Sequence, residues 1–161
     1  MINMHQSSVL LVLGLTIIAC LADAAVAGRR APKENVPFLL EEKYKNEPDH
    51  KQRVLIAIKL SELRFKELRA VYTKGAASLQ QETGTSFLLA TELIAKAVNY
   101  ATDSVYAKKS EQHLRRQMRA LENFKIDVSY QVRPKLEAIA EKVAEIHEEI
   151  LYNLMIPVET S

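Results

Sequence analysis

The feature that most restricts the fold of this chain is a long stretch without any helix-breaking residue. Between Thr85 and Arg133 there is neither glycine nor proline. The 161 residues include only four glycines and five prolines, whereas alanine, leucine, glutamate, lysine and arginine, which favour helices, are abundant. A β-sandwich or barrel would need a turn about every 8–12 residues. The sequence therefore predicts an all-α protein.

The first predicted helix has definable ends. Asp49 follows Pro48 and is suited to cap a helix start, and Gly75 follows Lys74, as is typical of a helix end. Between these ends, mostly apolar residues recur every three or four positions, the spacing of a helix that faces a core. They are Val54, Ile58, Ser61, Phe65, Leu68 and Tyr72.

A second apolar stripe begins near Ser78 and lapses in the polar run from Ala107 to His113 before it resumes. Because nothing in this region breaks a helix, we predict one long helix over 78–126. A bend near Lys108 and Lys109, which would give two helices, is the alternative.

A third amphipathic helix is predicted after Pro134, which suits the first turn of a helix. Its apolar row consists of Leu136, Ile139, Val143, Ile146, Ile150 and Leu154. Short connections make sequential helices antiparallel. We therefore predict, over residues 49–156, an antiparallel up-down bundle of three helices with a long middle helix, or of four if that helix bends. Residues 157–161 form a tail.

The first 27 residues predict an export signal. Val9–Ala22 is an uncharged run of fourteen residues. As a helix it would be about 21 Å long, shorter than the roughly 30 Å of a hydrocarbon core. Ala25-Val26-Ala27 fits the small-residue pattern for cleavage before Gly28. We predict a cleaved signal peptide and an extracytoplasmic protein, periplasmic or secreted.

Two alternatives for this segment stay open. Ile17-Ile18-Ala19-Cys20 resembles a lipobox, which would make Cys20 a lipidated mature N-terminus and tether the protein to a membrane. In the other alternative the N-terminal helix is an uncleaved anchor, and Arg29 and Arg30 would then favour a cytoplasmic body. Cys20 is the only cysteine, so no disulfide can form within the body.

The segment between the signal and the first helix is predicted to be a tether. Residues 28–48 contain Pro32, Pro37 and Pro48 together with mixed charge, which makes a long helix unfavourable. The apolar run Phe38-Leu39-Leu40 either docks on the body or belongs to a disordered linker.

The body carries no recognisable catalytic or metal motif. Neither His113 nor His147 has a glutamate three positions before it or a histidine four positions away, as di-iron and zinc helices require. A convergence of these histidines with Glu111 is the remaining metal hypothesis. Glycine-rich phosphate loops and the nucleophile elbow are also absent. We predict a protein that is not an enzyme and has no cofactor, metal ion or small-molecule substrate.

The strongest local anomaly is a basic cluster opposed only by Glu111. It consists of Lys108, Lys109, Arg115, Arg116 and Arg119. Such a cluster on one helix face can meet anionic lipid headgroups or an acidic partner. We predict instead that these cations pair with glutamates of matching spacing on the last helix: Glu137, Glu141, Glu145 and Glu148. The formal net charge of +2 does not indicate a nucleic-acid partner.

Two segments, ELRFKELRAVY (Glu62–Tyr72) and LRRQMRALENFKIDVSYQVRPKLE (Leu114–Glu137), resemble small exported all-helical bacterial proteins of unknown function. The resemblance implies a helical body and brings no assigned active site. We predict a non-catalytic interaction module of the bacterial envelope that binds a protein partner or itself. The alternatives are a chaperone-like or membrane-surface-binding protein that uses the 108–119 face and, third, a metal-binding bundle.

Overall fold

The computed structural model describes residues 35–101 and 104–155, and within these ranges the secondary structure is entirely helical. The all-α prediction is therefore confirmed. A 3-10 turn over Tyr130–Val132 precedes the last helix. The predicted export signal with Cys20, residues 28–34 and the tail lie outside the described residues. The described residues form five α-helices: α1 (Val36–Asn46), α2 (His50–Lys74), α3 (Ala77–Tyr100), α4 (Ser104–Asp127) and α5 (Arg133–Met155).

Both ends of α2 are formed by the residues that the sequence indicated. The Asp49 carboxylate accepts a hydrogen bond of 2.9 Å from the backbone N–H of Lys51. Gly75 adopts a left-handed conformation with φ of 71°, which glycine tolerates without a steric penalty. The backbone N–H groups of Gly75 and Ala76 donate to the carbonyls of Tyr72 and Val71, the paired bonds of a Schellman motif.

The prediction of a tether over 28–48 is wrong for residues 36–46, which form α1. The side chain of Asn35 accepts a hydrogen bond from the N–H of Phe38 at 3.5 Å, and Pro37 lies in the first turn, where proline is tolerated. Tyr44 reaches α3, where its hydroxyl donates to the Leu93 carbonyl at 3.2 Å. Tertiary contact thus stabilises a helix that proline content alone argued against.

The prediction of one long helix over 78–126 is also wrong. The predicted start near Ser78 is confirmed, since α3 begins at Ala77, but α3 ends at Tyr100 and Ala101 is extended, with φ of −91° and ψ of 103°. The sequence there is ATDS, and Thr, Asp and Ser side chains compete for backbone hydrogen bonds and favour helix ends. The alternative bend at Lys108 and Lys109 is wrong as well, because both lie inside α4.

The core consists of two apolar clusters. The first contains Val54, Ala57, Ile94, Ala95, Ala97, Val98, Ala107, Leu114 and Ile150. The second contains Leu68, Tyr72, Phe87, Leu121, Phe124, Val128, Leu136, Ile139 and Val143. Along α2, α3 and α4, one buried polar residue separates the two clusters: Ser61, Thr91 and Gln117, respectively. We call these three residues the central polar layer.

Gly84 lies where α3 packs closely against α5. Gly84 is buried within α3, and a Cβ there would lie 3.0 Å from Cδ1 of Ile139 on α5.

In the apolar row predicted for α5, Leu136, Ile139, Val143 and Ile150 are buried, while the other two members are partly exposed. The amphipathic pattern therefore located the buried side of α5.

Candidate functional site

The outer side of α4 carries the basic residues that the sequence singled out. A helix repeats every 3.6 residues, so residues spaced three, four or seven apart share a side. All five basic side chains are exposed, opposite Leu114 and Leu121, which are fully buried. We call this surface the basic face of α4. It consists of Lys108, Lys109, Arg115, Arg116 and Arg119.

These cations do not pair with the glutamates of α5. Arg115 forms an ion pair with Glu111 on its own helix, at 2.5 Å. Across residues 35–101 and 104–155, the other four basic side chains have no carboxylate within ion-pair distance. Glu145 instead binds Lys142 at 2.6 Å. The predicted pairing with α5 is therefore wrong, because the cations lie on the side of α4 that points away from the core.

Among the described residues, Glu111 of α4 makes a charged contact with α5. Its Oε1 lies 3.1 Å from Nε2 of His147, and the two side chains are only 10% and 12% exposed. The hydrogen bond with His147 lowers the pKa of Glu111, burial opposes this shift, and Arg115 adds to it. Glu111 therefore stays ionised between a histidine and an arginine, which fixes α4 against α5.

His113 faces α2 and not His147. It is 3% exposed, and its Nδ1 lies 3.7 Å from Oε1 of Glu62. Burial, followed by the charge of Arg116, lowers the pKa of His113 to about 4. The predicted convergence with Glu111 and His147 does not form, and among the described residues no three His, Cys, Asp or Glu side chains could hold a metal ion together.

The inner side of α4 is unusually polar. Gln117 Nε2 donates to Ser61 Oγ of α2 at 2.6 Å. Three buried atoms on this helix find no hydrogen-bond partner among the described residues: Ser110 Oγ, His113 Nε2 and Gln117 Oε1. Buried polar atoms of this kind often bind ordered water. The helix thus combines a cationic exterior with a polar, incompletely satisfied interior.

The structure also contains a cavity that the sequence does not predict. A cavity of about 360 Å³ lies among α1, α2 and α3. It could not be inferred from the sequence, because Glu41, Tyr44 and Lys45, which line it, fall in the segment predicted to be a tether.

Comparisons with protein-family models, with curated proteins and with solved structures found no match to this chain. In the described part of the chain, no helix combines the length and the apolar character needed to cross a bilayer.

Proposed function

We propose that this protein is a non-catalytic helical interaction module and that its binding surface is the basic face of α4. The observation that carries the proposal is the exposure of five cations, of which only Arg115 pairs with a carboxylate in the described ranges. A cluster in which cations outnumber neighbouring carboxylates creates a positive potential that attracts an anionic surface.

Exposed apolar residues beside the basic face of α4 favour an anionic lipid surface as its partner. Val105 and Ile126 stand near the two ends of α4 and are 65% and 74% exposed. Basic residues combined with exposed apolar side chains are the features with which helices bind the headgroup region of a bilayer. The apolar residues would enter the interface while the cations meet the phosphates.

Vesicle co-sedimentation tests this proposal. We expect the protein to bind phosphatidylglycerol-containing vesicles at low salt, to dissociate as salt rises, and to leave pure phosphatidylcholine vesicles unbound. Each cation near an anionic membrane contributes about 1 kcal/mol. The triple variant Arg115→Glu, Arg116→Glu, Arg119→Glu should therefore bind at least about 100-fold more weakly.

A matched control distinguishes an effect of the basic face of α4 on binding from an effect of net charge. Lys43, Lys59 and Lys142 are exposed on α1, α2 and α5, so changing all three to Glu alters the net charge by the same amount. This control should retain binding within a few-fold, and circular dichroism should show that both variants remain helical. Salt-insensitive binding, or equal losses in the two variants, would refute the proposal.

The proposal includes an up-down antiparallel arrangement of the helices. Ser61 and Thr91 lie near the middle of α2 and α3, and their hydroxyl oxygens are 3.4 Å apart. The two helices are joined by the short turn at Gly75. A contact between midpoints together with a tight connection supports helices that run in opposite directions.

The proposal also places the module outside the cytoplasm, in a bacterial envelope or secreted. This part rests on the uncharged run Val9–Ala22 and on Ala25-Val26-Ala27 before Gly28. An extracytoplasmic module would meet the outward-facing headgroups of a membrane, which agrees with a basic contact surface.

A further inference from the structure

The cavity among α1, α2 and α3 has an apolar floor. Leu60 and Ala90 line it and are 1% and 2% exposed. Leu93 and the ring of Tyr44 also line it, and the Tyr44 hydroxyl is anchored on the Leu93 carbonyl at 3.2 Å. The hydrogen bond positions α1 beside α3, and both helices border the cavity.

The mouth of this cavity exposes a large apolar side chain. Leu89 lines the cavity and is 55% exposed. A ligand with an apolar body would cover Leu89 and displace water from the floor beneath it, which is the main favourable term in binding of this kind.

Two lysines supply positive charge at the rim. Lys45 of α1 and Lys96 of α3 both line the cavity and are exposed. Neither has a carboxylate within ion-pair distance in residues 35–101 or 104–155. Glu92 also lines the cavity and forms no ion pair with any described residue, so the lining contains two unpaired lysines and one unpaired carboxylate.

The third cation of the lining, Arg64, is already paired with carboxylates. Arg64 binds Glu41 at 2.6 Å and Glu67 at 2.9 Å. Hydrogen bonds to these two carboxylates raise the pKa of Arg64 against the opposing effect of burial. Its Nε–H is buried without an acceptor among the described residues.

We propose that this cavity binds a small amphipathic carboxylate, a molecule with an unbranched apolar body and one anionic head that Lys45 and Lys96 receive. A volume of about 360 Å³ lies at the lower end of small-molecule sites. At roughly 30 Å³ for each water-sized group it accommodates about a dozen non-hydrogen atoms. The site uses no residue of α4 and is independent of the proposed membrane contact.

Titration of the full chain with sodium decanoate, followed by ¹H–¹⁵N correlation spectra, tests the proposal. We expect saturable shifts centred on the backbone signals of Tyr44, Leu89 and Leu93. The double variant Lys45→Gln, Lys96→Gln should bind decanoate at least about 5-fold more weakly, since it loses two charge-assisted contacts. Its affinity for the uncharged analogue decanol should be unchanged.

Two further variants distinguish the apolar contribution to ligand binding from a general effect of positive charge. Leu89→Ser should weaken both decanoate and decanol, because it removes the apolar wall that the two ligands share. The double variant Lys43→Gln, Lys59→Gln removes two exposed lysines outside the cavity lining and should bind decanoate as the unmodified protein does. Absence of saturable shifts, or a Lys45→Gln, Lys96→Gln variant that binds decanoate with full affinity, would overturn the proposal.

Discussion

His113 is the residue whose ionisation is most affected by the fold. It is buried between α4 and α2, and its pKa is lowered to about 4 from an ordinary value near 6.5. Between these two pH values the unfolded chain binds a proton that the folded protein does not. The free energy of unfolding contributed by His113 is therefore fully present above pH 6.5 and is lost as the pH falls through 4.

Replacing His113 should remove this pH dependence. The free energy of unfolding should decrease between pH 7 and pH 5 in the unmodified protein. We expect this decrease to be about 2 kcal/mol smaller in His113→Leu. Urea denaturation at the two pH values measures the difference. Equal losses in the two proteins would show that His113 becomes protonated without opening the structure.

At the scale of the helices, α1 is the element with the weakest attachment. It has 11 residues, below the length at which isolated helices are stable in water, and Pro37 is its only buried residue. Its fixed contacts include the ion pair of Glu41 with Arg64 and the hydrogen bond of Tyr44 with the Leu93 carbonyl. Local opening of α1 should therefore cost much less free energy than opening of α2.

Amide hydrogen exchange measures this difference. We expect the amides of α1 to exchange at least about 10-fold faster than those around Ala57 in α2. Tyr44→Phe removes one hydrogen bond of about 1 kcal/mol and should accelerate exchange in α1 by about 5-fold. Lys43→Gln is the control and should leave the rates unchanged. If α1 were protected as strongly as α2, its attachment would be stronger than these contacts imply.

The helices that the sequence predicted correctly are those whose ends and buried sides are encoded locally. Asp49 and Gly75 define α2 through their own hydrogen bonding and φ value. By contrast, α1 depends on Tyr44 and Glu41 reaching other helices, and no local pattern contains that information. The break after Tyr100 was missed because the ATDS segment contains neither glycine nor proline.

At the scale of the whole molecule, the sequence predicted the basic face of α4 but not how α4 packs against the other helices. Helical spacing placed Lys108, Arg115 and Arg119 on one side, and the structure exposes them. Whether those cations meet α5 depends on how α4 is rotated against it, which the charge pattern does not encode. The pairing of His147 with Glu111 and the cavity beside α1 likewise depend on packing between helices.

The location of the molecule has its own test. Expression in a bacterium followed by mass spectrometry of the purified protein should find a mature N-terminus at Gly28, because cleavage is predicted after Ala27. An acylated Cys20 would establish a lipoprotein instead. An intact Met1 would contradict cleavage and indicate a retained N-terminal helix.

The central polar layer has a consequence for how the helices can align. Ser61, Thr91 and Gln117 come from three different helices, and Gln117 finds its acceptor only where it is level with Ser61. Sliding α4 by one turn, about 5.4 Å, would move this amide into an apolar cluster without a partner, which costs about 1–3 kcal/mol. The central polar layer therefore specifies the register of the helices, because other alignments would bury a similar apolar area but leave this amide unpaired.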